Sequence, residues 1–363
     1  MRRLKVGVVG VGHLGKSHAR ILASLPDIQL VGVIDTDKQR AAEVASSVGC
    51  SVLPDLDALA ASVDAATIVT PTIFHHEVAC KLLDRGIPLL VEKPLASNQC
   101  QAEDLVAMAR KKGSILQVGH IERFNPAYEQ LRQMPINPKF VECERHGTFT
   151  GRSTDIGAVM DLMIHDLDLL LDMVGSEIVA VEAIGATIFG GHEDIVNARL
   201  RFASGCIAHL TASRMSPTPK RKMRIWAPEG YAGVDFVKRR LTLVQPSEEL
   251  REHGLNADTL APTQRGQLQQ QLFAKFLRLN EIDLNQGDNL TREIEHFVHC
   301  VRTKSPPLVR GEEGLAAIQL AERVLESVRH HSWENREGGP MGPDQLPVPW
   351  GSLVPLRPMQ AAA

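Results

Sequence analysis

Two rhythms of apolar residues run through the first 120 positions. Continuous apolar runs at Leu4–Val9, Gln29–Ile34, Asp64–Thr70, Leu89–Glu92 and Ile115–Gly119 read as strands buried on both faces. Between them, His13–Ser24, Lys38–Val48, His75–Asp84 and Cys100–Lys112 read as helices. Strand and helix in alternation predict a doubly wound parallel sheet, a Rossmann-type α/β domain over residues 1–125.

Past Pro126 the pattern changes. Residues 153–174 read as one long, nearly all-apolar helix. Strand-like runs follow at Ile178–Thr187, Asn197–Phe202, Cys206–Ser213, Lys222–Ala227, Gly233–Phe236 and Arg240–Val244. One helix and then many strands predict a second α/β domain over residues 126–330, with a mainly antiparallel sheet. Residues 245–290 read as a polar, Gln-rich loop excursion, and Thr291–Arg302 and Gly314–Val328 as amphipathic helices. The Pro- and Gly-rich stretch 331–363 predicts an extended tail.

Composition narrows the class. The chain of 363 residues is 44% hydrophobic and 23% charged with net charge −3, so neither a nucleic-acid nor a membrane partner is expected. No apolar run reaches signal-peptide or membrane-span length, which points to the cytoplasm. None of the six cysteines lies in a CxxC pair, so no metal site or redox dithiol is expected.

The candidate chemistry sits at strand ends. Gly10-Val11-Gly12-His13-Leu14-Gly15 is a GxGxxG turn between a strand and a helix, the context in which a dinucleotide pyrophosphate rests on the helix N-terminus. Asp35 ends the second strand, placed to accept from an adenosine ribose hydroxyl and to repel a 2′-phosphate. Thr36 and Asp37 follow it, which favours NAD; nearby Lys38 and Arg40 keep NADP open. Thr70-Pro71-Thr72-Ile73-Phe74-His75 and Glu92-Lys93-Pro94 follow two later strands, at the carboxyl edge where open parallel sheets bind ligands. In the apolar helix, Asp161, His165, Asp168 and Asp172 recur at i, i+4, i+7 and i+11 as one polar stripe. Buried carboxylates need partners, water or a ligand.

These segments, with Arg123-Phe124-Asn125-Pro126 and Asp161-x-x-x-His165, resemble the Gfo/Idh/MocA oxidoreductases along nearly all of residues 1–330. The resemblance implies a large open second sheet, C-terminal helices returning to the first domain, and oxidation of a secondary hydroxyl. It matches Lys93, Asp161 and His165 to the family's catalytic residues. By their chemistry His165 accepts the hydroxyl proton, Lys93 stabilises negative charge on the oxygen and Asp161 orients either; whether His165 or Lys93 is the base stays open. The cofactor set is Gly10, Gly12, His13, Leu14, Gly15, Asp35, Thr70, Pro71, His75, Glu92 and Lys93, and the substrate set His120, Arg123, Asn125, Arg152 and His165.

Ile121 stands where many members carry Asn. This variant, with Gly151–Gly157, resembles the branch that oxidises UDP-N-acetylglucosamine or its uronate at the sugar 3-position and passes the 3-keto product to an aminotransferase. Arg145, Arg152, Lys220, Arg221, Lys222 and Arg224 are candidate diphosphate ligands. Rival readings are an inositol or free-sugar dehydrogenase and a non-catalytic NAD-binding regulator, against which the intact Lys93, Asp161 and His165 argue. The second sheet's exposed edge predicts a homodimer or homotetramer.

Overall fold

A computed structural model describes residues 2–345 except 150, 152–154, 190, 285–286 and 335. The first unit alternates strictly: β1 (Leu4–Val9), α1 (His13–Ser24), β2 (Ile28–Ile34), α2 (Lys38–Val48), β3 (Ser51–Val52), α3 (Leu56–Ser62), β4 (Ala65–Ile68), α4 (His75–Asp84), β5 (Leu89–Glu92), α5 (Gln99–Lys112) and β6 (Leu116–Gly119). The strands form one parallel sheet in the order β3-β2-β1-β4-β5-β6. Chain order reverses between β1 and β4, so a crevice opens there beyond the strand ends. The helices start where the sequence supplies caps: Asp37, Asp55 and Asn98 each accept a first-turn N–H.

The second unit comprises α6 (Pro126–Arg132), β7 (Phe140–Thr148), α7 (Ile164–Val174), β8 (Ile178–Ala186), β9 (Ile195–Phe202), β10 (Ile207–Ser213), β11 (Met215–Ala227), β12 (Gly230–Asp235) and β13 (Arg240–Pro246). It continues through α8 (Glu248–His253), α9 (Pro262–Gln271), β14 (Leu277–Asp283), α10 (Asn289–Thr303) and α11 (Gly311–His330). Its eight strands run β14-β13-β12-β11-β7-β10-β9-β8, antiparallel except where β7 meets β10.

Three expectations change. Phe140–Thr148, unread as a strand, is central to the second sheet. Its inward positions are Val141, Cys143 and Arg145, and a buried arginine interrupts the apolar alternation. Residues 245–290 are not all loop, since β14 extends the sheet by pairing with β13. The single helix over 153–174 is a π-helical turn, Val159–Met163, running into α7. The first two positions expected in that helix, 153 and 154, lie outside the described residues, and Asp155 falls in a turn. Part of the proline-rich segment is also paired: the Trp333 N–H donates to Pro340 and Thr187 N–H to Pro343. Residues 346–363 lie outside the described residues.

Two apolar clusters hold the molecule. One joins α3, α4 and α5 to the inner face of the second sheet through α7 and α11. The other packs α1 and α2 against the opposite face of the first sheet and includes Leu290, Ile294, Phe297 and Val298 of α10. Each such side chain contributes about 1.5–3 kcal/mol of burial. Together α10 and α11 clamp the two units, which fixes the crevice walls.

Candidate active site

The glycine turn separates what the fold needs from what a ligand needs. Gly10 has φ +87°, and a Cβ there would lie 2.6 Å from the Val69 carbonyl oxygen. A Cβ on Gly15 would sit 2.0 Å from the Gly10 oxygen, so both glycines are required by packing alone. At Gly12 a Cβ would meet nothing within 4 Å. That open space lies over the start of α1, whose N-cap makes no side-chain hydrogen bond. His13 and Leu14 are exposed in the first turn, so its amides are available to an anion.

Asp35 closes the turn from β2. It accepts from the Val11 N–H (2.8 Å), the Asp37 N–H (2.9 Å) and the Arg40 guanidinium (2.7 Å). Burial works to raise its pKa, but these donors, Arg40 first, outweigh burial and hold the carboxyl below its ordinary value.

The loops after β4 and β5 are tied together by His75. Its Nδ1 is 2.8 Å from the Pro94 oxygen and its Nε2 2.8 Å from the Thr70 oxygen. Burial lowers its pKa. Thr70 Oγ1 is buried without a partner, a hydroxyl left for a ligand beside Pro71. Glu92 faces inward: it pairs with His18 at 3.0 Å and accepts from the Lys93 N–H at 3.3 Å, bracing the loop from below.

Lys93 reaches across the crevice. Its Nζ donates to the backbone oxygen (2.7 Å) and the carboxylate (3.0 Å) of Asp161, on the π-helical turn. The turn is anchored at its start by the Glu193 carboxylate, which accepts the Val159 N–H at 2.9 Å. His165 follows in the first turn of α7, half-buried. Its Nδ1 is enclosed without a partner, which leaves Nε2 as the nitrogen open to a substrate. Burial, then the charges of Lys93, Arg145 and Arg221, push its pKa well below the ordinary value. His120 lies 6.2 Å away, ring edge to face, buried with both nitrogens unpartnered; burial lowers its pKa too. The structure thus gathers Lys93, Asp161, His165 and His120.

The polar stripe divides. Asp161 and His165 face the crevice, whereas Asp168 and Asp172 face inward. Arg123, expected at the substrate, is 3% exposed, and its guanidinium is engaged by Asp168 (2.6 Å) and Asp172 (2.6 Å). Asn125, also expected there, is buried as the cap of α6 and donates to the Phe236 oxygen. Both residues build the wall of the site. Arg152 lies outside the described residues.

The cation expectation narrows as well. Arg145 is buried between Glu122 (2.8 Å) and Asp166 (2.7 Å). Lys220 pairs with Glu144, Arg224 with Glu142, and Lys222 lies 3.7 Å from Asp235, all on the outer face of the sheet. Arg221 differs. Opposite Arg145 in register and on the strand face of buried Met223 and Ile225, it is exposed, and its charge reaches His165 and Asp166. Of these candidates it is the one, among the described residues, without an ion pair. Composition cannot reveal which member of Lys220–Arg224 faces inward; only strand register does.

The Glu122–Arg145–Asp166 triad and Glu293 were not legible in the sequence. Glu293, on α10, is fully buried with both oxygens unpartnered. Burial, then the nearby Glu92 carboxylate, pushes its pKa well above the ordinary value.

Residues 4–120 match the model for an oxidoreductase family with an NAD-binding Rossmann fold, and residues 117–232 match the GFO/IDH/MocA C-terminal domain. The chain belongs to the Gfo/Idh/MocA oxidoreductase family. The UDP-N-acetylglucosamine 3-dehydrogenase of Acidithiobacillus ferrooxidans is 37% identical, covering 90% of this chain and 98% of that protein. A solved structure of that enzyme superposes with TM-score 0.79 over 90% of this chain and 98% of its own. An inositol 2-dehydrogenase of Rhizobium meliloti is 26% identical, covering 90% of this chain and 97% of that protein. Among the described residues no helix is long and apolar enough to cross a membrane.

Proposed function

We propose that this protein oxidises the 3-hydroxyl of UDP-N-acetylglucosamine, or of a related UDP-sugar, with NAD as acceptor, giving a 3-keto sugar. The observation that carries the reading is the Lys93–Asp161–His165 constellation beside a glycine turn with open space at Gly12 in the same Rossmann unit as Lys93, in a chain 37% identical to a UDP-N-acetylglucosamine 3-dehydrogenase.

The residues present fit a dinucleotide. The Gly12 space and the uncapped start of α1 suit the pyrophosphate, Asp35 the adenosine ribose, and the Thr70–His75 and Glu92–Lys93 loops the nicotinamide side. Asp35 carries its negative charge where a 2′-phosphate would lie, which supports NAD over NADP. When bound, the nicotinamide supplies the two-electron acceptor. His165, kept neutral by burial and neighbouring cations, takes the hydroxyl proton on Nε2. Lys93, aimed by its hydrogen bonds to Asp161, hydrogen-bonds the same oxygen and stabilises its developing negative charge. His120 walls off water on the far side of His165. Arg221 meets the substrate diphosphate. The 3-keto product is the form that an aminotransferase consumes, and the open sheet edge suits a homodimer or homotetramer.

The test is a panel of UDP-sugars, free sugars and inositols with NAD and NADP, following reduced nicotinamide. UDP-N-acetylhexosamines with NAD give turnover, abolished in His165→Asn with NAD binding retained. Turnover confined to inositols overturns the substrate assignment. NAD binding without turnover on any substrate favours a regulator.

A further inference from the structure

Away from the crevice, α4 and α5 bring three metal-ligating side chains to one point. His76 and Cys80 lie one turn apart on α4, and Asp104 of α5 faces both. His76 Nε2 is 2.8 Å from Asp104 Oδ2, and Cys80 Sγ is 3.4 Å from His76 Nε2 and 3.6 Å from Asp104 Oδ2. All three atoms lie within 4.8 Å of one another. In the order of the chain they are four and twenty-four residues apart, so no sequence motif announces them.

We propose that His76, Cys80 and Asp104 form a binding site for a zinc-class divalent cation. Tetrahedral zinc has bonds of about 2.0–2.3 Å to nitrogen, oxygen and sulfur, which sets ligand–ligand edges of about 3.3–3.6 Å. Both sulfur edges already match, and the nitrogen–oxygen edge needs to open by about half an ångström. A thiolate and a carboxylate neutralise the dication, and the imidazole adds a neutral donor that zinc favours. The Asp104 side chain is 53% exposed and His76 29%, so an ion can enter and a water can complete four-coordination. Such an ion staples α4 to α5. It also fixes His76, whose neighbour His75 ties the two cofactor loops together.

The competing account of the same distances is an ordinary His76–Asp104 ion pair with the Cys80 thiol donating beside it, and cobalt separates the two. Full-length protein, stripped with chelator and desalted, is titrated with cobalt(II) chloride. The expected result is one equivalent giving a thiolate-to-cobalt charge-transfer band with four-coordinate visible bands, displaced by zinc, and a zinc-dependent rise in Tm. Cys80→Ser abolishes the charge-transfer band, and His76→Gln or Asp104→Asn weakens binding at least about tenfold. Asp104 is exposed and His76 and Cys80 are partly buried, and circular dichroism checks the folding of each variant. No band in the wild type, or a band retained in Cys80→Ser, overturns the proposal.

Discussion

Lys93 Nζ sits 2.7 Å from the backbone oxygen and 3.0 Å from the carboxylate of Asp161, joining the β5 loop of the first unit to the π-helical turn of the second. The pair is partly exposed to the crevice, so its value lies in aiming the ammonium more than in stability. Lys93→Met is expected to lower kcat by about 10²–10³-fold, the scale of one lost oxyanion donor. Asp161→Asn keeps a hydrogen-bonding group but loosens the aim, with a loss of up to about 10²-fold. Steady-state kinetics with unchanged Tm checks both; a Tm collapse would make the pair structural.

In the proposed reaction Arg221 meets the substrate diphosphate, and its charge reaches His165. Burial first, and last among several neighbouring groups the Arg221 charge, lower the pKa of His165, so the acidic limb of kcat/KM is expected well below pH 6.5. In Arg221→Gln that limb moves up only slightly, because burial, Lys93, Arg145 and His120 still hold it low. KM for a UDP-sugar rises about tenfold or more, the scale of a lost charged hydrogen bond, and kcat changes less. pH–rate profiles read the first effect and initial rates the second.

Glu293 sets a pH dependence of stability. Its pKa is raised in the folded state, so its contribution is full below the unfolded value near 4.3 and is lost as pH climbs toward the folded value. Glu293→Gln keeps the shape and removes the titration. Its Tm is expected to equal or exceed the wild type's at pH 7–8, and to fall less between pH 5 and 8. Thermal melts across that range decide it.

Arg123 is the neutralising centre of a buried pair with Asp168 and Asp172. Arg123→Met leaves Asp168 buried without its cation, whereas Asp172 keeps Arg132 and the Tyr128 hydroxyl, a loss of about 3 kcal/mol. Urea unfolding measures it. A variant with native stability and a raised KM would instead return Arg123 to the substrate.

How far the chain can be read from its residues is clearest by comparing Gly12 with Arg145. The glycine turn, the Asp35 strand end, the Lys93 loop and the Asp161–His165 spacing are local patterns. Each depends on a strand meeting a helix or on one helical turn, and short-range geometry follows directly from order along the chain. Arg145 looked like a free cation, and Arg123 like a substrate contact, because sequence carries charge but not the partner that cancels it. Their acids, Glu122 with Asp166 and Asp168 with Asp172, lie 21 to 49 residues away and arrive only when α7, the turn at Ile121–Phe124 and the second sheet pack together. Register alone turned Arg221 inward while Lys220 and Lys222 turned outward.

The sequence by itself therefore determined the parallel first domain and its dinucleotide turn, and singled out Lys93, Asp161 and His165 as candidates. Tertiary structure decided which charges remain free, because whether a charge is spent or available depends on contacts between segments distant in the chain. The same holds for His76, Cys80 and Asp104, one helix turn plus a neighbouring helix, whose meeting is a property of packing alone.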